Sequence, residues 1–461
     1  MKRTLLLLLF VLPLVAGDFR LGQAAVKITP PAGAPMAGYY HNRAASGVHD
    51  DLFAKTLVLE KDGEKAALVA CDIIGMPRGV AEEARRLAEK ETGIPGARIM
   101  ISGTHAHTGP VLYEEGSRYN LEGDMLRIAR EYIAALPAKI AESIKLADSR
   151  LQPAKAAAGV GHEESISFNR RFFMKDGTVG WNPGKLNPNI VRPAGPIDPD
   201  VGVVRFEAAD GGPLATYVNF ALHLDTVGGV EISADYPYTV SKLLGRLNGA
   251  DMLTMFTIGA AGNLNHINVK TAARQNGHGE AERIGGVLAG EVLKTYTRLE
   301  DIAAASVRSR SEIVRLPLAG HEPSDVEWAR GVAPKFGKPD AAPFLDLVKA
   351  FRVLDVEARK GNPIDAEVQV IALGDKVAWV GLPGEIFTEL GMAIKRASPF
   401  PYTMVTELAN GSIGYVPNRE SYPQGAYEAI SARCAAGSGE MLVDTALRLL
   451  RGLKAAGAAT N

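Results

Sequence analysis

The chain has 461 residues, 46 % of them hydrophobic and 22 % charged, with a formal net charge of −1. That length buries a large core, and a near-neutral balance without a basic stripe gives nucleic-acid binding no support. Two cysteines, Cys71 and Cys434, make neither a disulfide framework nor a thiolate cluster, so a bound metal must rely on histidine and oxygen.

The N-terminus, MKRTLLLLLFVLPLVAG, sets Lys2 and Arg3 before an apolar run from Leu5 to Val15. With Val15 at −3 and Gly17 at −1, residues 1–17 read as a signal peptide. The run is short for a membrane span, which needs about 20 residues; an uncleaved anchor is the alternative. The expectation is a secreted or periplasmic protein with at most peripheral membrane contact, and residues 18–461 as the mature chain.

DDLFAKTLVLEKDGEKAALVACDIIG predicts a hairpin turning at Lys61 to Glu64. Val80, Ala84, Leu87 and Ala88 keep helical spacing over 78–92, stopped by Gly93-Ile94-Pro95. ARIMISGT is a short buried strand, and 121–146 an amphipathic helix. GWNPGKLNPNIVRPAGPIDPD, 180–200, reads as a long ordered loop or lid. A second hairpin turns at Asp210-Gly211-Gly212, and a helix capped by Ser233 or Asp235 follows, ending at Gly249. DMLTMFTIG is the next strand and 279–298 the next helix. A third hairpin turns at Gly374-Asp375. A helix near 386–396, the strand YTMVTELAN, and a last helix near 438–453 complete the pattern. Hairpins mixed with strand–helix alternation indicate an α/β fold with α+β elements on a mixed sheet, as a single large catalytic domain.

Polar residues follow several of these strands, where sheet proteins assemble sites. ISGTHAHTGP places His105 and His107 two residues apart. If the strand reaches that far, both face one cavity; otherwise they are two separately satisfied histidines. TYVNFALHLDT delivers His223, VAWVGLPGE delivers Glu385 at the first turn of a helix, and YTMVTELANGSIGYVPN delivers Tyr415. Two imidazoles and a carboxylate, with one position left for water, match a catalytic Zn²⁺ site.

These segments resemble the catalytic domain of the neutral (non-lysosomal) ceramidases and their bacterial relatives, from about Val26 to Ala432. GTHAHTGP is similar to that family's zinc-binding Thr-His-x-His-Ser-Gly-Pro segment. SFNRR, NFALHLDTV with SADYPYTV, LPGEIFTELG, and the tyrosine spacing of GYVPNRESYPQGAYEA resemble further family segments. The resemblance implies zinc held by His105, His223, Glu385 and Tyr415, the tyrosine either as a weak ligand or as an oxyanion donor. It implies His107, Arg170 and Tyr427 around the substrate amide; in a hydrolase, His107, near the metal but off it, is then the candidate to shuttle a proton, and Arg170 and Tyr427 to stabilise the oxyanion. The expected function is a zinc-dependent amidohydrolase that cleaves an N-acyl amide, ceramide-like or another acylated amine, by metal-activated water. Alternatives are a zinc-dependent ester or phosphoester hydrolase and a non-catalytic ligand-binding relative.

The chain departs from the family at GAAGNLNHIN. Asn263 and Asn265 stand where ceramidases carry the aspartate and serine of Gly-Asp-x-Ser-Pro. An amide forms no acyl-enzyme, so Asn265 is expected only to orient substrate or water. The family's C-terminal immunoglobulin-like domain is expected to be absent. His49 and His266 read either as pocket-lining or as structural. His41, His162, His278 and His321 read as surface or loop residues. Asp72 and Asp225 read either as partners holding a ligand histidine or as turn caps. Gly384 reads as a close-packing glycine, and Arg171 as a solvated neighbour of Arg170.

Overall fold

A computed structural model describes residues 18–113, 119, 121–338 and 342–458. The expected signal peptide, residues 1–17, lies outside the described residues.

Two mixed sheets carry the fold. The larger runs in the order Leu253–Ile258, Pro213–Phe220, Asp200–Ala208, Gln152–His162, Arg20–Lys27, Phe53–Lys61, Glu64–Cys71, Ile99–Gly103, with Glu300–Ile302 also pairing on Gln152–His162. Its neighbours are antiparallel except at the two edges. There Leu253–Ile258 runs parallel to Pro213–Phe220, and Ile99–Gly103 parallel to Glu64–Cys71. The smaller sheet has the order Val307–Leu316, Ile364–Leu373, Val377–Gly381, Tyr402–Thr406, its last pair parallel.

Alternation along the strands decides the layers. Leu57, Leu59, Leu68, Ala70, Val204, Phe206 and Tyr217 of the large sheet share one core with Ile371, Leu373, Val377 and Trp379 of the small one. The opposite face of the large sheet carries helices Arg78–Thr92 and Gly123–Ser149 on one half. Helices Tyr236–Asn248 and His278–Tyr296 cover the other half. Helices Thr388–Ala397 and Ser438–Ala458 cover the far face of the small sheet. The stack is therefore helix, sheet, sheet, helix. Segments that follow the parallel strands carry His105, His107, His223, Asn265, Glu385 and Tyr415.

All three hairpins turn where expected. Asp235, not Ser233, caps its helix, accepting from the Tyr236 amide at 2.7 Å. The proline-rich 180–200 stretch contributes strands Val179–Trp181 and Ile190–Pro193, both paired to Arg171–Met174. One unit was not anticipated. Residues 317–363 are inserted between the paired strands Val307–Leu316 and Ile364–Leu373 and carry helices Pro323–Val332 and Phe344–Glu357.

Candidate metal centre

The strand Ile99–Gly103 stops before the histidines. A Cβ on Gly103 would lie 2.8 Å from the Gly75 Cα, so only glycine admits this contact between the two segments. That approach lets the Ile74 carbonyl accept from His105 Nδ1 at 2.6 Å. His105 itself has φ +78°. His105 and His107 therefore converge through a left-handed bend beyond the strand. The expectation that alternation along the strand aligns them is corrected, because that geometry ends at Gly103.

His223 follows Pro213–Phe220, and its Nδ1 lies 3.1 Å from the Ala261 carbonyl. A carbonyl only accepts, so His105 and His223 both carry their proton on Nδ1, and both Nε2 atoms present lone pairs. Those two Nε2 atoms are 3.0 Å apart. His107 Nε2 is 3.2 Å from His105 Nε2, and Glu385 Oε2 is 3.5 Å from the Nε2 of both His105 and His223. Two facing lone pairs repel unless a cation lies between them. Glu385 Oε2 is buried without a hydrogen-bond partner, as a waiting ligand atom would be. Imidazole nitrogen with carboxylate oxygen is a donor set that suits zinc. Among the described residues, His105, His107 and His223 form the one histidine, cysteine or carboxylate group close enough to hold an ion. That group includes His107, which the sequence reading places off the metal.

Electrostatics keep these donors in ligand form. Burial first, then Arg170 and His105, lowers His223 to about 4. Burial, with His105 next, lowers His107. Burial alone would raise Glu385, but the imidazoles of His105 and His223 outweigh it and hold the carboxyl well below its usual range.

Glu385 is not in a helix, as the sequence suggests. Glu385–Ile386 form a short parallel ladder with Tyr415–Val416, Glu385 opposite Tyr415, and the helix starts at Thr388. Gly384 permits this: a Cβ there would lie 2.9 Å from the Gly414 carbonyl oxygen. The Tyr415 hydroxyl accepts from Arg170 at 3.0 Å. Burial, followed by Glu385, raises Tyr415 well above the usual phenol value. Arg170 also donates to Glu428 at 2.7 Å and to the Gly262 carbonyl at 2.8 Å. Arg171 shares Glu428 at 3.1 Å and is only 1 % exposed. The reading of Arg171 as a solvated neighbour is thus corrected: Glu428 draws both guanidiniums inward.

Tyr427 packs its ring 5.2 Å from Tyr415 and 5.4 Å from Phe344 of the inserted unit. Phe344 also meets Tyr40 at 5.0 Å, and Tyr39 stands edge-on to His107 at 5.9 Å. The insertion thus bridges the Tyr427 side and the Tyr40 side of the site.

The asparagines have other partners. Asn263 accepts from the Thr388 amide at 2.9 Å and donates to Glu389 at 2.9 Å. Asn265 donates to Asn182 at 3.0 Å and accepts from the Ile267 amide at 3.1 Å. Asp72 accepts from the Phe53 amide of the neighbouring strand at 2.9 Å. Asp225 meets His266 Nδ1 at 3.0 Å, while His266 Nε2 reaches the Gln275 carbonyl at 2.7 Å, so His266 lies behind Asp225. His49 pairs with Asp50 at 2.9 Å and stacks on His278, a structural role. Two acids with no exposure at all, Glu428 and Glu407, escaped the sequence reading. Glu407 directly follows the strand Tyr402–Thr406, so the rule that found Glu385 also applies to it.

Residues 19–228 match the family described as neutral/alkaline non-lysosomal ceramidase, N-terminal. The neutral ceramidase of Pseudomonas aeruginosa is 27 % identical over 227 residues, 47 % of this chain and 32 % of that protein. Neutral ceramidase B of Dictyostelium discoideum is 24 % identical over 230 residues, 48 % of this chain and 31 % of that protein. The matched stretch therefore spans about a third of each relative's length. A crystal structure of neutral ceramidase from Pseudomonas aeruginosa superposes with a TM-score of 0.73 at 21 % identity, covering 95 % of this chain and 74 % of that one. A ceramidase complexed with C2 gives 0.72 at 20 % identity, covering 95 % and 75 %. Over residues 19–228 the chain is similar to the N-terminal part of the neutral/alkaline non-lysosomal ceramidase family, and over nearly its whole length it has the fold of neutral ceramidase.

Proposed function

We propose that the protein is an exported zinc-dependent hydrolase that cleaves an N-acyl amide, ceramide-like or another acylated amine, with residues 18–461 as one catalytic unit. The observation that carries this reading is the convergence of the His105 and His223 lone pairs with Glu385 Oε2. His105, His223 and Glu385 would hold the metal, with the Tyr415 hydroxyl beside them. Zinc in such a site acidifies a water and polarises a carbonyl.

The chain's own residues supply the rest. Arg170, kept charged by Tyr415 and Glu428 against its burial, directs positive charge toward an oxyanion. Tyr427 contributes its hydroxyl on the same side. His107, its basicity reduced by burial, is suited to pass a proton to the leaving amine. Asn263 and Asn265, tied to Thr388, Glu389, Asn182 and Ile267, leave no side-chain nucleophile at their positions, in keeping with attack by water.

Elemental analysis and amine release from a panel of N-acyl amides, with and without chelator, test the reading. The purified protein should carry about one zinc per chain and lose activity with it. His105→Ala and His223→Ala should lose the metal. His107→Ala should keep it while turnover falls by roughly 10²-fold; loss of zinc in that variant would make His107 a ligand. A covalent acyl-enzyme, or full activity without zinc, would sink the mechanism. Ester or phosphoester turnover without amide turnover would move the reaction class. Tight ligand binding without any turnover would favour a binding protein.

A further inference from the structure

Glu407 is 0 % exposed, and a single carboxyl oxygen of it accepts two backbone amides: Ile386 at 2.7 Å and Ala261 at 3.2 Å. Each amide leads directly to a residue of the metal centre. Ile386 follows Glu385 in the chain, and the Ala261 carbonyl takes the Nδ1 proton of His223. The Glu407 amide in turn reaches the Ile258 carbonyl at 3.3 Å, so its own backbone is tied to the strand that leads to Ala261. Other bonds join the same two segments. The Gly262 amide reaches the Ile386 carbonyl at 2.8 Å, and the Thr388 amide reaches Asn263. Neither joins the anchor of His223 to the residue beside Glu385 through one atom.

We propose that Glu407 is a positioning residue of the metal centre. Its carboxyl oxygen sets the separation between the His223 and Glu385 donors, observed as 3.5 Å. This rests on the reading of the site as a zinc centre. Partners of this kind typically change metal affinity about 10- to 100-fold when removed. A purely structural stitch would change thermal stability and leave affinity alone.

The test uses the full chain, stripped of metal and titrated with Zn²⁺ against a chromophoric chelator, and with Co²⁺ for its visible spectrum. Glu407→Gln keeps an accepting oxygen at the same reach and should bind zinc much as wild type does, with the wild-type cobalt spectrum. Glu407→Asp is one methylene too short to hold both amides. It should bind zinc about 10- to 100-fold more weakly, with a shifted cobalt spectrum. A folded Glu407→Asp with wild-type affinity and spectrum overturns the proposal, as does a tenfold loss in Glu407→Gln. Hydrogen exchange on metal-free wild type decides independently of any variant. Slow exchange at both Ala261 and Ile386 is expected, and fast exchange at either overturns the clamp. Wild type that binds no zinc would defeat the metal reading itself. Wild type and aspartate variant binding equally would defeat only this inference.

Discussion

His105 has φ +78°, a left-handed backbone that costs an L-residue about 1–2 kcal/mol and glycine almost nothing. Alanine shares the cost. In chelator-treated protein, His105→Gly should therefore unfold at a higher temperature than His105→Ala, by about 1 kcal/mol of stability, though neither binds zinc. Equal melting would mean the strain is relieved elsewhere. His223 gives a pH signature. Its folded-state value of about 4 lies below the ordinary 6.5, so the unfolded chain takes up its proton first. This contribution is complete above about pH 6.5 and is lost as pH falls toward 4. Metal-free wild type should lose up to roughly 3 kcal/mol relative to His223→Gln over that window, read from urea unfolding. His105, His223 and Glu385 were legible in the sequence because each follows an apolar strand. The inward turn of Arg171 was not, since its cause, Glu428, lies far along the chain.

Among the elements, the hairpins were legible because Gly and Asp mark their turns between β-rich runs. The strand Gln152–His162 was not. Its sequence QPAKAAAGVGH has little β-branched content, and pairing with Asp200–Ala208 supplies what propensity lacks. Glu385 was misplaced into a helix because periodicity cannot register a two-residue ladder whose partner lies at Tyr415. Gly262 shows how tightly the segments meet: a Cβ there would lie 2.6 Å from the Glu385 carbonyl oxygen. Gly262→Ala should cost about 1–3 kcal/mol and weaken zinc binding by displacing Glu385. A variant with wild-type melting and wild-type zinc affinity would show that the ladder yields without moving the ligand.

At the scale of the molecule, the core cluster between the two sheets holds no residue of 317–363. Leu316 pairs directly with Ile364 at the point of insertion. The inserted helices hold a small core of their own, built on Val326, Ala329, Ala350 and Val353. Replacing 318–362 with a short glycine-containing turn should leave a cooperatively melting protein that still binds zinc, with altered KM across the amide panel. Loss of zinc or of cooperative melting in that variant would show that the site needs the insertion to form.

The place of that insertion bears on how the protein can change. Closing a longer loop between two strands that already pair adds only about 0.6 kcal/mol for each doubling of its length. The segment that brings Phe344 to Tyr427 and Tyr40 is thus free to lengthen, shorten or be exchanged while His105, His223 and Glu385 keep their places beyond the strands. On the proposed reading, residues 317–363 would tune substrate preference while His105, His223 and Glu385 serve the chemistry, and selection could revise the first without disturbing the second.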